Sequence, residues 1–315
     1  LTRSNASADD SFKFAVCIPT YNPGAWVERM VAGIRCQWLQ PARVLVVDSS
    51  TSDGQVEGFA ELGADIVRIE PGSFDHGGTR NLAFTVTDVD GYLFLTQDAI
   101  PARPDAFAHL VTALLGRARI GVAYGRHLPA TDASPLARAH RSFNYPAYSA
   151  TYCLTDLATH GVRALFCSNS FALYRREAIV EIGGFPSRIL TNEDRWAAAR
   201  LLQRGWEVRY AADACVIHSH EQSPTQQFRR YFDTGAFEAQ HPWFGALVGG
   251  PSREGIRMLR HQTAHLTEEG VSVPALRVVA HATMAWTGYR AGRLHRLLPR
   301  RLCARLSGNR AFWSP

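Results

Sequence analysis

The sequence predicts an α/β fold built on a mostly parallel sheet with helices on both faces. Three observations carry this reading. Apolar runs of strand length alternate with segments of helical period through the first two thirds of the chain. Each run is apolar almost throughout rather than at every second residue, as expected of strands buried on both faces. Two runs end on a carboxylate, Asp48 and Asp98, and open α/β sheets bind their ligands just beyond the carboxyl ends of the strands.

The first strand is Phe14–Ile18, stopped by Pro19-Thr20-Tyr21-Asn22-Pro23-Gly24, and residues 25–38 follow with helical period through Trp26, Met30, Ile34 and Trp38. Arg43–Val47 is a second strand ending at Asp48-Ser49-Ser50. A short helix and a third strand, Asp65–Ile69, come next. Gly72-Ser73-Phe74-Asp75-His76-Gly77-Gly78 then turns into a helix from Thr79. The fourth strand lies in Gly91–Leu95, and Thr96-Gln97-Asp98 leaves its end before Pro101. A helix over 104–118 and a strand at Gly121–Tyr124 complete the regular pattern. From 126 to 162 it weakens into an irregular stretch holding Phe143, Tyr145, Tyr148 and Tyr152, which reads either as a loop that shapes a binding site or as a variable surface insertion. Order returns with a strand at Phe171–Tyr174, a helix near 176–182, a helix from Asn192-Glu193-Asp194 to Arg204, and a strand from Glu207 to Tyr210 that leads to His218 and His220. Beyond Pro224 the chain reads as helical. The predicted organisation is a disordered N-terminus over 1–11, a catalytic domain over 12–222 and a helical region over 223–315.

The 315 residues carry a net charge of +6. Beyond Glu269 there is no acidic residue, whereas eight arginines follow; subtracting them from +6 leaves about −2 for the rest. A near-neutral core with a basic tail argues against a nucleic-acid binder. No GxGxxG follows the first strand, which argues against a dinucleotide-dependent dehydrogenase. Six scattered cysteines show neither zinc spacing nor a disulfide framework, fitting a reducing cytoplasm.

The strand ends offer chemistry. An Asp at position 98 can hold a divalent cation that bridges two phosphates, since hard cations take oxygen ligands; a solvated turn is the plainer reading of that residue. Asp48 can accept from a pyrimidine N–H or cap a turn. Arg80, just inside the helix opened by Gly77-Gly78, can meet phosphate with a bidentate fork, and the glycines can equally be a tight backbone corner. Acids at the first turn, Glu193 and Asp194, favour the helix dipole, which would keep Asp194 ionised.

Ile18-Pro19-Thr20-Tyr21-Asn22, Val46-Val47-Asp48-Ser49-Ser50, Leu95-Thr96-Gln97-Asp98 and Asn192-Glu193-Asp194 resemble the ordered motifs of glycosyltransferase family 2 over roughly residues 13–220. Within that family, Phe74-Asp75-His76-Gly77-Gly78-Thr79-Arg80-Asn81 resembles the signature of bacterial rhamnosyltransferases. The resemblance implies a GT-A fold and an inverting, metal-assisted transfer from dTDP-L-rhamnose to a lipid-linked or lipopolysaccharide glycan acceptor. It puts Thr20, Tyr21 and Asp48 at the nucleoside and Arg80, Gln97 and Asp98 near the diphosphate. Pro19, Asn22, Ser50, His76 and Gly78 join the donor-binding set through the same motifs. Asp194 falls at the position of the catalytic base, with Glu193 as the fallback. The expected cofactor is Mg²⁺ or Mn²⁺. Gln97 stands where many relatives have a second carboxylate, so His218 is expected to share the ion with Asp98; a packed core histidine is the alternative for His218.

Leu294, Leu298, Leu302 and Leu306 step by four beside Arg290, Arg293, Arg296 and Arg300, with Pro299 interrupting. A basic amphipathic helix of this kind suits a membrane surface, implying a cytoplasmic enzyme peripheral to the inner face of the bacterial inner membrane. A packed arginine face or a homodimer interface uses the same helices. The readings that compete with a rhamnosyltransferase are a family-2 enzyme for another nucleotide sugar and a non-catalytic basic membrane-binding module.

Overall fold

The structure, a computed structural model, describes residues 11–49, 51–52, 54–70, 72–218, 221–248, 252–270 and 275–313. Nine strands form one sheet: β1 Phe14–Thr20, β2 Arg43–Asp48, β3 Asp65–Arg68, β4 Gly91–Leu95, β5 Ile100–Pro101, β6 Ile120–Leu128, β7 Ala150–Tyr152, β8 Phe171–Arg175 and β9 Glu207–Ile217. The order is β3-β2-β1-β4-β8-β6-β9-β5, with β7 pairing to β9. The β3-β2-β1-β4 half is parallel. The sheet as a whole is mixed, because β8 runs antiparallel to both β4 and β6. Hydrophobicity reports burial on two faces but not strand direction, so the sequence left this open. Pro101 does not end the chain's pairing; Ile100–Pro101 forms an edge strand, where a missing N–H is tolerated.

The helices are α1 Trp26–Arg35, α2 Gly78–Asn81, α3 Ala106–Leu115, α4 Pro135–Asn144, α5 Leu157–His160, α6 Arg176–Glu181, α7 Glu193–Gln203, α8 Pro224–Gln240, α9 Pro242–Val248, α10 Ser252–Glu268, α11 Ala275–Arg293 and α12 Arg300–Leu306. Alternation along β1 divides the core. Phe14, Val16 and Ile18 face Met30, Ile34, Phe107 and Leu110 on one side. Ala15 and Cys17 belong to the other side, with Phe94, Tyr174, Phe185, Ala197 and Leu201. Burying side chains of this size contributes about 1.5–3 kcal/mol each, so both faces hold the strand ends rigidly.

The helix expected from Thr79 is one turn long and passes into a 3₁₀ turn at Leu82–Thr85. The stretch from 126 to 162 is ordered: β6 continues to Leu128, Ser134 caps α4 by accepting from Ala137 N, with Pro135 at the first turn, and β7 adds to β9. The last leucines do not share one helix. Between α11 and α12 the chain makes a short 3₁₀ turn and then reaches Pro299. The helices α8 and α11 pack on each other, their backbones approaching closely through glycines; a Cβ on Gly292 would sit 2.0 Å from Phe232 O and one on Gly288 2.3 Å from Phe228 O. A capping box, Ser223 with Gln226, starts α8.

Candidate active site

At the joined ends of β1 and β2, Asp48 is fully buried and accepts from Thr20 Oγ1 at 3.0 Å and Thr51 N at 2.8 Å, with Thr51 Oγ1 on the same carboxylate. Gln97, leaving β4, ties itself to the backbone of Tyr21 in both directions: Tyr21 N donates to Oε1 at 2.8 Å, and Nε2 donates to Tyr21 O at 3.2 Å. Pro19 is the partly buried penultimate residue of β1. Asn22 is held in the left-handed region at φ 44°, its amide donating to Thr51 Oγ1 and its side chain accepting from Ser52 N. The Tyr21 ring stands 63% exposed beyond them. Ser50 and His220 lie outside the described residues.

The segment 74–81 is a clamp. The Asp75 carboxylate accepts three backbone amides, from Gly78 at 2.7 Å, Arg188 at 2.9 Å and Ile189 at 3.2 Å. Asn81 exchanges both its amide groups with the backbone of Phe185. Gly77 must lack a side chain, since a Cβ there would meet Pro186 O at 1.9 Å. His76 is partly buried; its carbonyl receives Arg80 Nη1 at 2.8 Å. Arg80 is only 5% exposed, and its guanidinium meets Glu193 Oε1 at 3.2 Å. Rather than lying open to solvent at the cleft, that guanidinium is buried against α7.

Glu193 and Asp194 start α7 after Asn192, which is left-handed at φ 60°, a conformation asparagine tolerates. Burial pushes the Glu193 carboxyl up, but Arg80 and His76 outweigh it and hold the group below its ordinary value. Asp194 goes the other way. Burial, and then the Glu193 charge, push it up to about 6, so the helix terminus does not set its ionisation as the sequence suggested. Asn169 joins the two acids. Its Nδ2 donates to Glu193 Oε1 at 3.2 Å, its backbone amide to Asp194 Oδ2 at 3.3 Å, and its Oδ1 accepts from Tyr174 OH at 2.8 Å. Asn169 is 2% exposed. No motif pointed to it; an Asn two residues before a strand carries no signal until the fold brings it to α7.

Asp98 and His218, from the ends of β4 and β9, approach to 3.5 Å (Oδ1 to Nε2). His218 Nδ1 lies 3.1 Å from His127 Nδ1, and the His127 ring stacks on Tyr145 at 4.1 Å. A carboxylate and an imidazole in this relation suit Mg²⁺ or Mn²⁺ with positions left for water and phosphate. Among the described residues, no group of three His, Cys, Asp or Glu is arranged to hold an ion.

Beside these strand ends opens a cavity of about 1210 Å³ between α4, α7 and the C-terminal helices. His218, Asn192 and Arg195 line it, with Tyr145, Tyr148 and Tyr210. The aromatic residues of 126–162 therefore face this space.

The glycosyl transferase family 2 profile matches residues 15–183. The chain belongs to glycosyltransferase family 2. The O-antigen chain rhamnosyltransferase RfbN of Salmonella typhimurium is 37% identical over 305 residues, 96% of either chain. WbaN, an O-antigen chain rhamnosyltransferase of Salmonella anatum, is 35% identical over the same span. Among solved structures, a mannosyltransferase from Pyrobaculum calidifontis in complex with GDP-Man and Mn²⁺ superposes with a TM-score of 0.61 over 92% of this chain and 88% of its own, at 16% identity. That likeness gives the fold, a GT-A architecture with a curled, mixed sheet. The protein is thus a glycosyltransferase, and no described helix is long and apolar enough to cross a membrane.

Proposed function

We propose that this enzyme is an inverting rhamnosyltransferase that moves L-rhamnose from dTDP-L-rhamnose to a hydroxyl of a lipid-linked or lipopolysaccharide glycan during O-antigen assembly. The single observation that carries the reading is the end-to-end likeness to two O-antigen chain rhamnosyltransferases. The clamp that joins the 74–81 segment to the start of α7 supports it from this chain's own residues.

In this reading residues 12–222 form the catalytic unit and 223–315 the helical region that walls the acceptor side. Thr20, Tyr21 and Asp48 receive the nucleoside, with the exposed Tyr21 ring available to the base. Gln97 fixes Tyr21, and His76, Gly78 and Arg80 support the diphosphate end from beneath through Glu193. Asp98 and His218 would hold Mg²⁺ or Mn²⁺ together with donor phosphate oxygens; when bound, the ion neutralises charge growing on the leaving diphosphate. Asp194 takes the acceptor hydroxyl's proton as that oxygen attacks the anomeric carbon from the face opposite the diphosphate. Asn169 holds the carboxylate for that task. The enzyme works on the cytoplasmic face of the inner membrane, and Leu294, Leu297 and Leu302, exposed among arginines, suit contact with the lipid surface.

The test is donor turnover by the purified chain across a panel of nucleotide sugars, with Mg²⁺, with Mn²⁺ and with chelator. Hydrolysis or transfer from dTDP-L-rhamnose that needs the metal is expected. Preference for a different nucleotide hexose would refute the donor assignment.

A further inference from the structure

Behind the carboxylate and imidazole at the ends of β4 and β9 lies a second histidine, to which the transfer chemistry assigns no task. His127, near the end of β6, is 2% exposed. The strands β6 and β9 pair in parallel, and their register jumps between Gly125 and Arg126, where the partner changes from Ala211 to Cys215. Irregularities of this kind re-aim side chains beside active sites. Beyond the jump His127 pairs with Val216 and Leu128 with Ile217, and the His218 amide donates to Leu128 O at 3.0 Å. The backbone therefore brings the two histidines together.

Three contacts hold the His127 ring. It stacks on Tyr145, with centroids 4.1 Å apart and planes 13° from parallel. Its Nδ1 lies 3.1 Å from His218 Nδ1 and 3.5 Å from Arg141 Nη1. A guanidinium has hydrogens to give and no lone pair to offer. The His127 nitrogen that faces Arg141 is accordingly the unprotonated one, and the ring proton is on Nε2. That same nitrogen faces His218, so the proton between the two rings belongs to His218 Nδ1. A neutral His218 then carries its lone pair on Nε2, the atom that lies 3.5 Å from Asp98 Oδ1. A lone pair and a carboxylate oxygen on neighbouring strand ends are donors that a divalent cation takes.

We propose that His127 is a positioning residue for the metal site. By accepting from His218 Nδ1 it fixes the tautomer and ring plane that turn His218 Nε2 toward Asp98, and Arg141 fixes His127 in turn. This rests on the reading of His218 as a ligand and adds the residues that make it one.

The test is Mn²⁺ binding by the full chain, with dTDP and without it, followed by loss of the free-ion electron paramagnetic resonance signal. His127→Phe keeps a ring against Tyr145 and removes the acceptor. It is expected to weaken Mn²⁺ binding about 10–100-fold, while dTDP affinity in chelator stays unchanged. His127→Asn gives up the stack but puts an amide oxygen where Nδ1 stood, and should recover most of that loss. A purely structural role for the ring predicts the reverse order, Phe tolerated and Asn impaired, and that result would overturn the proposal. Nitrogen-15 spectra of the wild-type histidine rings need no variant to fold: His127 is expected as the Nε2–H tautomer, and the Nδ1–H form would overturn the proposal equally. His218→Ala separates the proposal from the reading beneath it. Loss of Mn²⁺ binding there, with wild-type binding in His127→Phe, overturns the role of His127 alone. Wild-type binding in His218→Ala removes the ligand assignment and the proposal with it. Failure of the donor reading shows separately, as a wild-type Mn²⁺ affinity that dTDP leaves unchanged, and the comparison without dTDP still reads His127.

Discussion

At the proposed nucleoside end of the cleft, the carboxylate of Asp48 is already met by Thr20 and Thr51, and Gln97 has both amide groups on the Tyr21 backbone. At the proposed acceptor end, Arg141, Arg195, Arg230, Arg277 and Arg290 line one open cavity. One end is organised before any ligand arrives, so little ordering entropy opposes donor binding. The other gathers like charges around an open cavity.

Asp194 is the proposed base, and replacing it is expected to have the largest effect. Asp194→Asn should lower kcat by about 10²–10⁴-fold and leave dTDP affinity unchanged in a calorimetric titration. Because the group is pushed up to about 6 and a base must be ionised, wild-type activity should rise with pH through about 6 and level off above it. Glu193→Gln removes the second cause of that shift, so the acidic limb should move to lower pH. A limb that stays in place would assign the shift to burial alone.

The next effect separates the buried clamp from the open cavity. Arg80→Met leaves Glu193 charged without its partner, which for a buried pair costs about 3–5 kcal/mol and should appear as a lower melting temperature. Glu193 is held below its ordinary value in the folded protein, so its contribution is present above the unfolded value of about 4.3 and is lost as pH falls through the lower folded one. The gap in melting temperature between wild type and variant should therefore narrow on acidification. If the folded variant also loses dTDP affinity, Arg80 reaches the diphosphate; if not, its role is confined to the clamp.

The strand ends were legible in the sequence because a buried parallel strand leaves a continuous apolar run, and Asp48, Asp98 and Asp194 stand just past such runs or at a helix start. Strand direction was not legible, since β8 has the same apolar run whichever way it is paired. Nor was the partner of Arg80. A motif gives the residue types near a turn but not which distant element, here the start of α7, comes to rest on them. Asn169 and His127 became visible only through their contacts with Asp194 and His218. The tail arginines read as one amphipathic face, yet the break before Pro299 sends Arg290 and Arg293 to the cavity wall and leaves Leu297 in solvent.

The smallest effect tests whether the acceptor end depends on how closely α8 and α11 pack. A Cβ on Gly292 would meet Phe232 O at 2.0 Å and Ala236 N at 2.8 Å. Both are backbone atoms within α8, so no side chain can swing aside and α11 must move outward. Overpacking of this kind costs about 1–3 kcal/mol. Gly292→Ala should therefore lower the melting temperature while dTDP affinity, proposed to lie at the ends of β1 and β2, does not change. Gly255 in α10 has nothing within 4 Å of its would-be Cβ, so Gly255→Ala should raise the melting temperature slightly through helix propensity, worth up to about 1 kcal/mol, and leave dTDP affinity unchanged. A Gly292→Ala protein that also lost dTDP affinity would mean that the two ends move as one body, and the contrast between them would then lie in charge alone.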